Sequence, residues 1–101
     1  MNDLERLHIS ADALAALCRE FGVVELSAFG SVLRADFRPD SDVDLLVVFD
    51  KDRPVGLFHI LRLQQRLATL LGRPVDLVPK AGLKPLIRDQ VLASARRLYA
   101  A

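Results

Sequence analysis

The sequence predicts an α/β (α+β) protein, in which helices pack on a small mixed sheet of three to four strands within one domain, residues 1–101. Three observations support this prediction. Apolar residues recur at helical spacing in long segments, shorter segments are rich in branched and aromatic side chains, and glycine or proline marks the segment ends. The chain has 101 residues, 51% hydrophobic and 27% charged, which is typical of a globular domain.

The first helix is predicted over residues 10–21. Ser10 and Asp12 are suitable helix caps, and Gly22 ends the apolar pattern. The apolar positions within the helix recur at helical spacing: Leu14, Leu17, Cys18 and Phe21. Residues 23–29 are rich in branched and aromatic side chains, which predicts a strand directly after this helix.

The middle of the chain predicts the central strand of the sheet. Within residues 43–49, the segment Leu45–Phe49 is apolar without alternation, so both faces of this strand should be covered. Between the two strands we expect a short helix over 31–35 and a loop over 37–41. A polar turn follows the central strand.

A long helix with a broad apolar face is predicted over residues 57–71, ending at a glycine. Its leucines outnumber those that one packing face needs, and Phe58 widens the face, so we expect part of it to contact an oligomer or a partner protein. Residues 75–78 read as a short strand, and residues 83–99 as the last helix. Four apolar residues are expected on the inner side of that helix: Leu86, Ile87, Val91 and Leu98.

Composition excludes several classes of function. The formal net charge is +1, so the chain lacks the basic excess of a nucleic-acid-binding protein, and no direct contact with nucleic acid is expected. No run approaches the roughly 20 apolar residues that span a bilayer. Cys18 is the single cysteine, so no intrachain disulfide forms, and we expect a reduced, half-buried packing residue. Without a signal segment at the N-terminus, the chain is predicted to be cytoplasmic.

A Gly-Ser pair, Gly30 and Ser31, follows the first strand. Glycine lets the backbone approach a ligand closely, and the start of the next helix offers unpaired N–H groups that suit a phosphate. The Ser31 hydroxyl adds a further donor. Such a pair by itself is more often an ordinary turn, so its role depends on the acidic residues that follow.

Two aspartates stand at the start of the central strand, within a stretch of six aspartates between residues 36 and 52. Asp42 and Asp44 are two positions apart, so on a strand they point to the same face, about 7 Å apart at Cα. Two close carboxylates repel each other unless a cation lies between them, and Mg²⁺ is commonly bound by few carboxylates together with water and phosphate oxygens. The alternative is a solvated turn that only caps the strand.

A third aspartate, Asp76, interrupts the apolar strand predicted over 75–78. A buried carboxylate without a partner would be costly there. The position is explained if this strand lies beside the central one and Asp76 faces the same metal as Asp42 and Asp44. The alternative is a solvent-facing residue on an edge strand.

The combination resembles the signature of the nucleotidyltransferase superfamily that includes DNA polymerase beta, in which a Gly-Ser pair, Asp-x-Asp and a distant third aspartate recur. Ten residues separate Ser31 from Asp42, which matches the spacing of that signature. More closely, the chain is similar to the minimal nucleotidyltransferases, or MNT proteins, found as antitoxins beside HEPN toxins. Their pattern is roughly Phe-Gly-Ser-x-Ala-Arg-Gly and then Ser-Asp-x-Asp-Leu. The matching segments are Phe29–Ala35 and Ser41–Leu45, and the resemblance covers nearly the whole chain.

The resemblance implies a nucleotidyltransferase fold and transfer of AMP from ATP to a hydroxyl, with pyrophosphate leaving. Its catalytic and metal-binding residues are implied to be Asp42, Asp44 and Asp76, which would hold two Mg²⁺ ions between them. Asp76 would also help to deprotonate the acceptor, and the Gly-Ser pair would bind the β- and γ-phosphates. Arg34 matches the family arginine and would either contact phosphate or brace the acidic loop.

The resemblance also implies a partner, a HEPN-type toxin whose tyrosine hydroxyl would accept AMP. Larger relatives carry a further domain for their substrate, so a chain ending soon after the core fold is expected to take a small acceptor or one brought by a partner. Leu33 and Ala35 depart from the family pattern and favour an alternative, an antitoxin that neutralises its partner by binding without catalysis. Transfer to a small molecule such as an antibiotic is disfavoured by the lack of a substrate domain.

Overall fold

Four strands and three α-helices make up the part of the chain that this computed structural model describes, residues 9–30, 42–52 and 55–101. In chain order they are α1 (Ala11–Phe21), β1 (Val23–Phe29), β2 (Val43–Phe49), α2 (Leu57–Leu71), β3 (Val75–Pro79), α3 (Pro85–Ser94) and β4 (Arg96–Ala100). A 3₁₀ turn, Lys80–Gly82, joins β3 to α3. The short helix expected over 31–35 and the loop expected over 37–41 lie outside the described residues.

The two long helices begin and end close to where the sequence predicts. The side chain of Ser10 accepts a hydrogen bond from the Ala13 backbone N–H at 3.3 Å and so caps α1. Gly22 and Gly72 end α1 and α2 with φ values of 74° and 69°, a left-handed conformation that glycine adopts without strain. Of the helices within the described ranges, none is long and apolar enough to cross a membrane.

The strands form one mixed sheet in the order β3-β2-β1-β4, so β2 is an internal strand as predicted. β1 pairs antiparallel with both β2 and β4, whereas β2 and β3 run parallel. The Val43 N–H donates to the carbonyl of Pro74 at 2.9 Å and joins the starts of β2 and β3. On the outer side of β3, the Leu77 N–H donates to the side chain of Gln64 at 3.0 Å, which protects this edge of the sheet.

The hydrophobic core lies between one face of the sheet and the helices α1 and α2. Inward-facing β2 residues Val43, Leu45 and Val47 are at most 1% exposed. The helices contribute seven buried side chains to the same core: Leu14, Leu17, Cys18, Phe21, Leu63, Leu67 and Leu71. Because strand residues alternate between faces, the residues between the inward-facing ones point to the opposite face of the sheet.

Cys18 is more deeply buried than the sequence suggests. It is 0% exposed, so the expectation of a half-buried residue is wrong, while its role in packing is confirmed. Burial raises the pKa of its thiol to about 11, although the nearby charge of Arg19 acts in the opposite direction. The thiol is therefore protonated near neutral pH and behaves as a small apolar side chain.

The helix predicted over residues 83–99 is wrong in its second half. Helix α3 ends at Ser94, and Arg96–Ala100 form strand β4, which gives the sheet its fourth strand. The edge of β1 requires backbone partners, and pairing with β4 provides them, which outweighs the helical tendency of the segment. Leu86 and Ile87 were expected inside but are 94% and 45% exposed, and no residue of α3 is fully buried.

Candidate active site

The face of the sheet that points away from α1 and α2 carries two of the predicted acids. Asp44 and Asp76 are direct register partners across the parallel strands β2 and β3. Asp44 lies between the buried residues Val43 and Leu45, and Asp76 alternates with buried neighbours in the same way. Neighbouring strands lie about 4.8 Å apart, so the two carboxylates project side by side.

Asp44 and Asp76 line one open cavity of about 360 Å³. Its other walls come from β1, from β3, from the segment that leads into α3 and from the first turn of α3: Phe29, Val78, Gly82, Leu83, Lys84 and Ile87. The third acid therefore lies on the same side of the sheet as Asp44.

Gly30 brings the end of β1 against the Asp44 carboxylate. Phe29 is the register partner of Asp44, and Gly30 follows it with φ of 74°. A Cβ atom at position 30 would overlap a carboxylate oxygen of Asp44 and would lie 3.3 Å from its Cγ. Both the conformation and the space at this position therefore require glycine.

Asp42 lies just before β2 and is exposed, two residues from Asp44. Asp76 is also exposed and lies on an edge strand, so the cost of burying its charge does not explain it. The sequence left two explanations for Asp76, a shared metal site or a solvent-facing position on an edge strand. The second one accounts for the exposure of its side chain. Its position beside Asp44 is nevertheless the one that a shared site requires.

The acids suit a magnesium ion that is completed by its substrate. Within residues 9–30, 42–52 and 55–101, no group of three or more His, Cys, Asp or Glu side chains is close enough to hold a metal by itself. Mg²⁺ usually takes one or two carboxylates and fills its remaining positions with waters and phosphate oxygens. Asp44 and Asp76, which both line the cavity, fit that donor set, and Asp42 lies two residues before Asp44 in the chain. Their roles as ligands remain predictions.

Ser31 and Arg34, the other predicted nucleotide-binding residues, lie outside the described residues, as do Leu33 and Ala35. The sequence did not indicate a second group of cavity residues, Leu83, Lys84 and Ile87, which lie just before and within the first turn of α3. Their position in the sequence could have indicated this, because a segment directly after β3 has to turn back over one face of the sheet. The apolar residues were instead assigned to packing inside a longer helix.

Comparison with known proteins identifies the family and the fold of this chain. The chain matches the family model described as nucleotidyltransferase domain over residues 11–98. It is 43% identical over 76 residues to protein adenylyltransferase MntA of Thermococcus cleftensis, covering 75% of each chain. The solved structure of a candidate minimal nucleotidyltransferase is 45% identical with a TM-score of 0.72, covering 93% of this chain and 94% of that one. A complex of tri-AMPylated Shewanella oneidensis HEPN toxin with MNT antitoxin is similar in fold alone, with a TM-score of 0.60 at 22% identity, covering 90% and 70%.

Proposed function

The chain belongs to the nucleotidyltransferase domain family, and from this we propose that it is a magnesium-dependent adenylyltransferase that transfers AMP from ATP to a tyrosine hydroxyl of a HEPN-type toxin partner. The observation that carries the proposal is the pairing of Asp44 with Asp76 in one cavity, with Gly30 against Asp44. The names of its relatives support the nucleotide and the partner.

The proposed reaction is an in-line displacement at the α-phosphorus of ATP. The acceptor hydroxyl oxygen forms a bond to this phosphorus, and the bond to the oxygen that bridges to the β-phosphorus breaks, so pyrophosphate leaves. The hydroxyl proton passes to Asp76, directly or through a water, and then to solvent. Bound Mg²⁺, held by Asp42, Asp44 and Asp76, would supply charge neutralisation at the attacking and leaving oxygens.

Gly30 and Ser31 would receive the β- and γ-phosphates. Since Gly30 has no side chain, its backbone lies directly beside the Asp44 carboxylate, so phosphates received there would lie next to the proposed metal ligand. A partner contact is supported by helix α2, whose first turns expose three large apolar side chains. Leu57 is 67% exposed, Phe58 78% and Leu61 47%. This is the leucine surplus that the sequence indicates, and an apolar patch of this kind suits a protein contact.

The proposal is tested by transfer of labelled AMP to the co-expressed HEPN partner in the presence of magnesium. Asp44→Asn and Asp76→Asn keep the shape of the side chain but remove its charge, and each should lower the rate by at least about 100-fold. Asp89→Asn is the matched control, since Asp89 is exposed on α3 and does not line the cavity. The proposal fails if the Asp44 and Asp76 variants transfer AMP at the rate of the control.

The alternative is an antitoxin that masks its partner without catalysis, favoured by the departures at Leu33 and Ala35. The same assay separates the two functions. A stable complex that stays unlabelled, with partner activity suppressed equally by the protein and by its Asp44→Asn variant, would identify masking. Label on the partner identifies transfer.

A further inference from the structure

The order of the strands indicates from which side of Asp44 the acceptor approaches in the proposed reaction. In an in-line displacement the attacking and leaving oxygens lie on opposite sides of the phosphorus. Gly30, at the end of β1, lies on one side of Asp44, and Asp76, on β3, lies on the other side. If pyrophosphate leaves towards the β1 side, the acceptor hydroxyl must approach from the β3 side.

The β3 side is where the cavity has its apolar wall. Val78 is half-buried two residues after Asp76, Leu83 is 8% exposed, and Ile87 is 45% exposed on the first turn of α3. Phe29 closes the cavity from β1. A volume of about 360 Å³ that is lined by apolar side chains together with two carboxylates is suited to an apolar group that carries one polar end.

We propose that Val78, Leu83 and Ile87 form the acceptor pocket of this transferase and select a phenolic side chain by contact with its ring. This inference rests on the proposed function and adds the residues that determine its acceptor. A ring packed against these walls directs its hydroxyl towards Asp44 and Asp76, where the α-phosphorus is attacked. A serine or threonine side chain is too short to cover the apolar wall, which would remain in contact with water.

Lys84 completes the pocket as the cation among the described residues that line it. A positive charge beside a phenol favours its ionised form. If the Lys84 ammonium turns towards the bound ring, it would stabilise the negative charge that develops on the acceptor oxygen as the proton leaves. Lys84 is exposed to solvent.

The first test compares Ile87→Ala with Leu86→Ala. The two residues are neighbours on α3, but Ile87 lines the cavity, whereas Leu86 is 94% exposed and does not. In AMP transfer to the HEPN partner, Ile87→Ala should lower kcat/KM for the partner roughly tenfold, the effect of trimming an apolar specificity pocket. The KM for ATP should stay unchanged, and Leu86→Ala should match the wild type. Equal partner kcat/KM for the two variants, or a raised KM for ATP in Ile87→Ala, would overturn the inference.

The second test requires no catalysis. N-acetyl-tyrosinamide and N-acetyl-serinamide are titrated into the protein while the methyl resonances of Val78, Leu83 and Ile87 are followed by NMR. The tyrosine probe should shift these resonances more strongly than the serine probe, and Ile87→Ala should weaken its binding. If the tyrosine probe shifts none of them, the pocket is assigned wrongly, whether or not AMP is transferred. If they shift but wild-type protein labels no partner, the proposed function fails and the pocket stands.

Discussion

Replacing Gly30 with alanine is the sharpest perturbation of the candidate site, because the chain contains a glycine that controls for it. Gly30 and Gly72 have nearly the same positive φ, 74° and 69°. A Cβ at Gly72 would meet nothing within 4 Å, whereas one at Gly30 would overlap the Asp44 carboxylate and lie 3.3 Å from its Cγ. The two variants therefore share the cost of a left-handed alanine and differ in the displacement of Asp44.

The left-handed conformation should cost each variant about 1 kcal/mol in free energy of unfolding, measured by urea denaturation. At position 30 the Asp44 carboxylate must also move by about 1 Å to restore an ordinary van der Waals contact. A displacement of that size at a reacting centre can lower a rate about 100-fold. Gly30→Ala should therefore lose AMP transfer while Gly72→Ala keeps it.

The assay is the initial rate of AMP transfer to the HEPN partner at a temperature where both variants remain folded. Circular dichroism confirms that the two proteins are equally folded under those conditions. If Gly30→Ala transfers AMP within about twofold of Gly72→Ala, the contact between Gly30 and Asp44 does not position the carboxylate for the reaction. The assignment of this end of β1 to the site would then be refuted.

Two further predictions concern the core. The pKa of the Cys18 thiol is raised to about 11 from 9.0, so its contribution to stability should be complete below pH 9 and should fade as the pH rises towards 11. The difference in unfolding free energy between wild type and Cys18→Ala should narrow over that range in urea titrations, and a difference that is constant from pH 8 to about 11 would contradict the cause given for the shift. Leu67→Ala removes a side chain that is 0% exposed and should cost about 2–5 kcal/mol, whereas Leu57→Ala, at a 67% exposed position, should change stability by less than about 0.5 kcal/mol. Equal losses in thermal unfolding would show that the two faces of α2 are assigned wrongly.

Local signals in the sequence were sufficient for most of the fold. Ser10 and Gly22 mark the ends of α1, and Gly72 marks the end of α2, because caps and left-handed residues depend on a few neighbouring backbone groups. The continuous apolar run of β2 identified an internal strand, because a strand without alternation must have both of its faces covered. The C-terminal segment was misassigned because β4 forms only when β1 is present to pair with it.

The candidate site, like the fold, was predicted only in part from the sequence. The sequence by itself identified Gly30, Asp44 and Asp76 as residues whose chemistry suits a nucleotide and a metal, and the spacing of Asp42 and Asp44 indicated that they share a face. It did not establish that Asp76 is the register partner of Asp44, because strand register depends on contacts between residues far apart in the chain.

Only the tertiary structure decided which residues surround these acids. Leu83, Lys84 and Ile87 reach the cavity because the 3₁₀ turn after β3 leads α3 back over the same face of the sheet. In the sequence, the apolar residues of α3 look like core positions. In the structure, Leu86 is exposed and Ile87 lies in the cavity wall. Periodicity reports which residues share a side of a helix, but the packing of the whole chain determines what that side faces.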